Sequence, residues 1–320
     1  MKAILHRTLF VASTGWILMY FSEHLFWARY RPGEDSIGGY LLNWFFYSMA
    51  GYAALLAISA FNARSWESVF LAGALFGWLI EGVVVETMYA AIPLSISFTP
   101  LAWHAAISVM IGLRSVPRWL SGPHLRAWVL CSLVGLGYGV WAINWWWEEP
   151  ETTPATPAEF AAFSVICAAA TIVAYAIFAS ERRRPTTIHR KEAWIPLTVF
   201  VFLFAIKAAL IPISLLVLPP LVALVLFALR QNRIQETRGS ELTTTIPDTT
   251  LWSLFPVLAI PATATAFYSV ANSLDLTLPT NRVFYVITTP LGFLLLGVAL
   301  WRTLRRTPLL PPTVRNTVSR

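Results

Sequence analysis

Apolar positions in this chain occur as long runs from end to end, broken by short polar stretches. The runs fall near 8–28, 39–61, 67–90, 96–114, 126–147, 158–180, 251–273 and 284–304. Each is close to the roughly 20 residues that a helix needs to cross a hydrocarbon layer about 30 Å thick. The first run follows Lys2 and Arg7 and has the look of a secretory signal. It continues into Glu23, His24, Phe26 and Trp27 without a small-residue cleavage site, so it reads as a retained helix. The stretch from Trp194 to Arg230 is too long for one ordinary span, and Pro212, Pro219 and Pro220 interrupt it. Proline removes a helix hydrogen bond and clashes with the preceding turn, so the pattern predicts a hairpin of two helices, 194–210 and 213–230.

The expectation is an all-α integral membrane protein, a polytopic bundle of about ten transmembrane helices. Composition agrees: 57% of the 320 residues are hydrophobic and only 12% charged, against roughly a quarter charged in soluble domains. Two cysteines, Cys131 and Cys167, both inside apolar runs, exclude a disulfide scaffold. A net charge of +7 would suit nucleic acid in a soluble protein, but in a membrane protein loop charge reports sidedness. No nucleic acid partner is expected; the lipid bilayer is. With alternating helices and both termini cytoplasmic, 19 of the 23 basic residues fall on the inner side. Arg29, Arg31, Lys207 and Arg282 stay outside with the acidic group Glu148, Glu149, Glu151 and Glu159. That skew predicts a multi-pass protein of the cell membrane.

The Pro/Thr-rich segment 149–157 divides the chain into a five-helix half, 1–148, and a second, 158–306, followed by a basic tail, 307–320. An odd number of spans per half would make the halves inverted, as in many secondary transporters. No sequence match between the halves supports an internal repeat.

Ionisable groups within spans cost on the order of 2.5–3.5 kcal/mol at the helix centre, so each asks for a role. They are few: Glu23 and His24 on the first helix, Glu81 and Glu86 on the third, His104 on the fourth and Lys207 on the seventh. By the assigned directions all lie in the outer half of the bilayer. Glu81 and His104 are the deepest, on consecutive helices. Asn43 and Tyr47, with Tyr40, line one face of the second helix, and Tyr138 and Trp141, with Trp145, form a comparable stripe on the fifth. Together they predict an outward-facing polar pocket in the first half of the chain, with Glu81, His104 and Glu86 as acid–base groups. Glu23, His24, Asn43, Tyr47, Tyr138 and Trp141 would contact the substrate. No metal is expected: Glu81 and Glu86 sit about 140° apart on a regular helix, and no HExxH, HxxxH or CxxC motif is present. The residues indicate no particular cofactor.

The stretch Glu81-Gly82, then Pro93 through Pro100, Leu101, Ala102 and Trp103, loosely resembles a segment of membrane-bound carotenoid hydratases without its Gly-rich centre. The resemblance assigns no residue a role. Three readings follow: an enzyme acting on a lipid or isoprenoid-type substrate by Glu/His acid–base chemistry, a proton-coupled transporter with Glu81 as the coupling carboxylate, and a non-catalytic scaffold. Concentration of the polar groups in one half of the bilayer favours the enzyme, since alternating access places its site near the midplane.

Overall fold

The computed structural model describes residues 2–31, 33–148, 154–182, 190–235 and 251–305. Glu149, Glu151, Arg183, Arg184 and the tail 307–320 lie outside them, as does most of the linker expected at 149–157. Among the described residues the chain is helical throughout, without strands: an all-α polytopic membrane bundle.

Among the described residues, ten longer helical runs overlap the apolar stretches of the sequence. Run α1 (2–27) consists of Lys2–Met19, a π-helical turn Tyr20–His24 and a last α-helical turn Leu25–Trp27. Then follow α2 (Ile37–Ala60), α3 (Trp66–Val84), α4 (Leu94–Leu120), α5 (His124–Glu148) and α6 (Pro157–Arg182). The remainder are α7 (Trp194–Leu210), α8 (Ser214–Gln235), α9 (Leu251–Ser273) and α10 (Thr280–Arg305). Eight runs, α2 to α6 and α8 to α10, are long and apolar enough to cross a membrane. At about 1.5 Å per residue, the 17 residues of α7 reach somewhat less than the hydrocarbon thickness.

Local sequence explains where the runs stop and start. The side chains of Ser36 and Ser65 accept hydrogen bonds from Gly39 N–H and Ser68 N–H and cap α2 and α3, as short hydroxyl residues do at helix starts. Ala28, in the left-handed conformation at φ 62°, ends α1. Helix α8 runs through Pro219 and Pro220, and only 211–213 separates it from α7. Of the three prolines expected to interrupt this region, only Pro212 lies in a break.

Contacts at the two ends of the bundle show the chain alternating in direction. At one end His6 and Arg7 meet Glu181 and Glu192, Tyr52 donates to Glu192, and Glu67 pairs with Arg302. At the other, Lys207 meets Glu86 and Asn281 meets Glu148. One continuous apolar core runs through both halves. Helix α3 is its axis, with 89% of its apolar window buried, whereas α10, at 22%, turns most of its surface outward to lipid. Sidedness is testable by labelling. In a Cys131→Ala/Cys167→Ala background, a cysteine at Leu278 should react with an impermeant maleimide from outside the cell and one at Gly122 only after permeabilisation. Equal labelling of both in intact cells would overturn the assignment.

Candidate functional site

Three helices meet at Glu81, and each departs from α-helical winding there. Ser22, Glu23 and His24 lie in the π turn of α1, Glu81 lies in a π turn at Ile80–Val84, and His104 and Ser108 lie in the π-helical stretch Phe98–Ser115 of α4. Wide turns of this kind are rare and often mark functional sites. Close packing holds them in register. A Cβ on Gly77 would stand 2.1 Å from the Pro100 carbonyl oxygen, so α3 and α4 approach more closely than any other residue there would permit. Gly112 leaves room for the ring of Phe21, seating α1 against α4 and bringing Ser22 to His104. The Trp103 indole N–H bonds the Phe21 and Ser22 carbonyls at 3.0 and 3.2 Å, satisfying backbone groups that the wide turn would otherwise leave buried and unpaired.

The result is a hydrogen-bonded array. His104 Nε2 lies 2.5 Å from Glu81 Oε1, and His104 Nδ1 lies 2.8 Å from the Ser22 hydroxyl, itself 2.6 Å from that of Ser108. Glu81 Oε2 accepts from the Thr87 hydroxyl, and Thr99 also bonds the carboxyl. These groups are enclosed: exposure is 7% for Glu81, 3% for His104 and 1% for Ser22. Two hydroxyl donors and an imidazole match an ionised carboxylate, and such charge-assisted bonds are the strong ones. Beside this array the Tyr47 hydroxyl donates to Glu23 Oε1 at 2.5 Å, and the Trp27 indole donates to Glu23 Oε2 at 3.0 Å. The Tyr47 ring stands 6.0 Å from that of His104, so the row Glu23, Tyr47, His104, Glu81 crosses from α1 to α3 through neighbouring side chains.

Two cavities adjoin its Glu23 end. A small polar chamber of about 190 Å³ is lined by Glu23, His24, Arg31, Asp35, Tyr40 and Asn43 among others. A larger groove of about 850 Å³ lies between α1 and α6 and shares His24, Arg31, Tyr40 and Phe163 with the chamber. Arg31 is fixed by Glu34 at 2.7 Å and Asp35 at 3.1 Å and lies over the Trp27 ring. Neither cavity is lined by Glu81 or His104, so Glu23 and His24 face the space and the deeper pair stands behind them.

Several expected site residues lie elsewhere. Glu86 is not on α3: the helix ends at Val84, and Glu86 lies in the connection beyond, exposed and 2.5 Å from Lys207. The same connection carries Tyr89, whose hydroxyl donates to the Gly82 carbonyl at 2.8 Å; burial pushes it up to about 12, so it remains a donor at neutral pH. Tyr138 bonds Ser164 inside the bundle, and Trp141 donates to the Phe26 carbonyl; neither lines the chamber or the groove. Trp141 packs on the Trp103 ring at 4.8 Å and lines a cavity of about 570 Å³ with Phe26, Trp145 and Glu148, so the stripe on α5 borders the Glu81 array through Trp103 without facing the chamber or the groove. Unforeseen members of the site are Ser22, Ser108, Thr87, Thr99, Arg31 and Asp35. Among the described residues no group of three or more His, Cys, Asp or Glu side chains is placed to hold a metal ion.

No family model matches the chain, and neither a curated protein nor a solved structure matches it.

Proposed function

We propose that this is a membrane-embedded enzyme that performs general acid–base chemistry on a lipid or isoprenoid-type molecule in the outer half of the cell membrane. The observation that carries the reading is the row of neighbouring side chains from the buried Glu81–His104 pair, with Ser22 bonded to it, through Tyr47 to Glu23, at the wall of a cavity. General acid–base catalysis needs a positioned group at the substrate and a route for its proton. Glu23 is that group, with His24 beside it; Glu81 and His104 are the reservoir that restores its protonation state. Serine and tyrosine hydroxyls both donate and accept. With Glu81 ionised and His104 protonated, a proton that leaves Nδ1 through Ser22 leaves a neutral imidazole still donating Nε2–H to Glu81, and the pair is restored when a proton returns by the same route. A carrier driven by protons would use the same carboxylate; the position of both cavities beside one end of the row favours an enzyme.

The test is incorporation of solvent hydrogen. Protein reconstituted with a membrane lipid extract in deuterated water should convert at least one lipid species to a product carrying deuterium, detected by mass spectrometry. The Tyr47→Phe variant, which removes the hydroxyl bonded to Glu23 and keeps the ring, should yield about 10²–10⁴-fold less, the usual span of general acid–base contributions. Lipid profiles identical in the two samples would overturn the enzyme reading. Proton-driven accumulation of a solute in the wild-type vesicles would put the carrier in its place.

A further inference from the structure

The ring of His24 stands where the two cavities meet. It is 3% exposed and packed among the rings of Trp16, Tyr20, Tyr40 and Phe163, and its Nδ1 is buried without a hydrogen-bond partner. A buried polar atom left unpaired costs roughly 1–3 kcal/mol, and in a site that cost is recovered when a ligand supplies the missing partner.

The spaces on either side of it differ. The groove is walled on the α6 side by Phe163, Ile166, Cys167 and Ala170 and suits an apolar chain. The chamber is polar and small: at about 30 Å³ per water in the liquid, about 190 Å³ accommodates a compact head and excludes a bulky one. Its charges decide which head. Three carboxylates, Glu23, Glu34 and Asp35, face two guanidiniums, Arg29 and Arg31, and Glu159 adds a further negative charge beside the groove. A phosphate would enter a site with a surplus of its own sign. The acids are also engaged: Asp35 with Arg31 and Tyr40, and Glu23 with Tyr47 and Trp27. An ammonium head would share those carboxylates with partners already in place. A hydroxyl needs only a neutral nitrogen.

Building on the acid–base reading above, we infer that the substrate is a long-chain or isoprenoid alcohol that enters sideways from the bilayer, lays its chain between α1 and α6, and hydrogen-bonds its hydroxyl to His24 within reach of Glu23. Phospholipids and prenyl phosphates are excluded by charge, and the substrate need not pass through water.

Binding is tested directly, with the full chain in phosphatidylcholine nanodiscs and a dodecanol analogue bearing a chain diazirine. Illumination should attach the probe to α6 within 162–170. Unlabelled dodecanol should compete at about tenfold lower concentration than dodecyl phosphate or dodecylamine, a difference of about 1.4 kcal/mol. Filling the groove with Ala162→Trp and Ala170→Trp should abolish labelling. His24→Phe, which keeps the aromatic packing and removes the nitrogens, should weaken competition about five- to tenfold. Phosphate or amine competing as well as the alcohol would overturn the inference, as would wild-type labelling in the groove-filled variant if it remains folded. The two proposals fail separately. Labelling that persists without lipid turnover sinks the acid–base reading alone, and Tyr47-dependent turnover without alcohol labelling sinks this one alone.

Discussion

Replacing Glu81 by Gln is expected to cut turnover by about 10²–10⁴-fold while leaving the protein inserted and folded. The amide keeps the shape of the side chain and still accepts from Thr87 and Thr99, so packing around α3 is retained. An amide cannot take up or release a proton, so the reservoir behind Glu23 is lost. Tyr47→Phe is expected to fall in the same range, and the double variant to be no worse than either alone, because residues that act as one unit are not additive. Melting of the purified variants, followed by tryptophan fluorescence, separates this outcome from misfolding. Full turnover in a well-folded Glu81→Gln protein would remove Glu81 from the mechanism and leave a structural pair in its place.

His104→Leu is expected to do something different, destabilising the protein by about 3–5 kcal/mol, the usual consequence of removing one partner of a buried pair. Glu81 is almost fully enclosed, with His104 at 2.5 Å. Without the imidazole the carboxylate retains hydroxyl donors but loses the group that can share its proton. Combining His104→Leu with Glu81→Met should recover most of the lost stability, because an apolar pair of similar volume carries no desolvation cost. The recovered protein should still lack turnover. A single His104→Leu variant as stable as wild type would mean that the Glu81 charge is neutralised by other means, and the array would then not be a coupled unit.

Depth and order along the chain are enough to pair Glu81 with His104: loop charge predicts a similar depth for both, on neighbouring antiparallel helices. The helical runs and the break before α8 were legible for the same reason, since apolar length and proline are strong signals in a membrane. The hydroxyls were not. Ser22, Ser108 and Thr99 read as ordinary members of apolar helices, where such side chains usually bond their own backbone, as Thr14 and Ser13 do here with the Phe10 carbonyl. Their role depends on which way they face, and regular 100° stepping misplaces them wherever the helix widens into a π turn. Glu86 was misplaced because the apolar run continues past the point where α3 stops. The α5 stripe was assigned to the site because Tyr138 and Trp141 share a face; that face meets Ser164 and Phe26, and periodicity alone does not say which neighbour a face has.

The π turn at Tyr20–His24 works as a phase shift within a single rod. A residue added to an otherwise α-helical run rotates everything after it by about 100° relative to everything before. Upstream, α1 keeps the side of Gly15 and Leu18 against α2. Downstream, three successive residues are dealt to three different neighbours: Ser22 to α4, Glu23 to Tyr47 on α2, and His24 to the space beside α6. The placement of those three groups is therefore tied to one count of residues. Losing a single position anywhere in this turn would leave each of them chemically intact and facing the wrong partner.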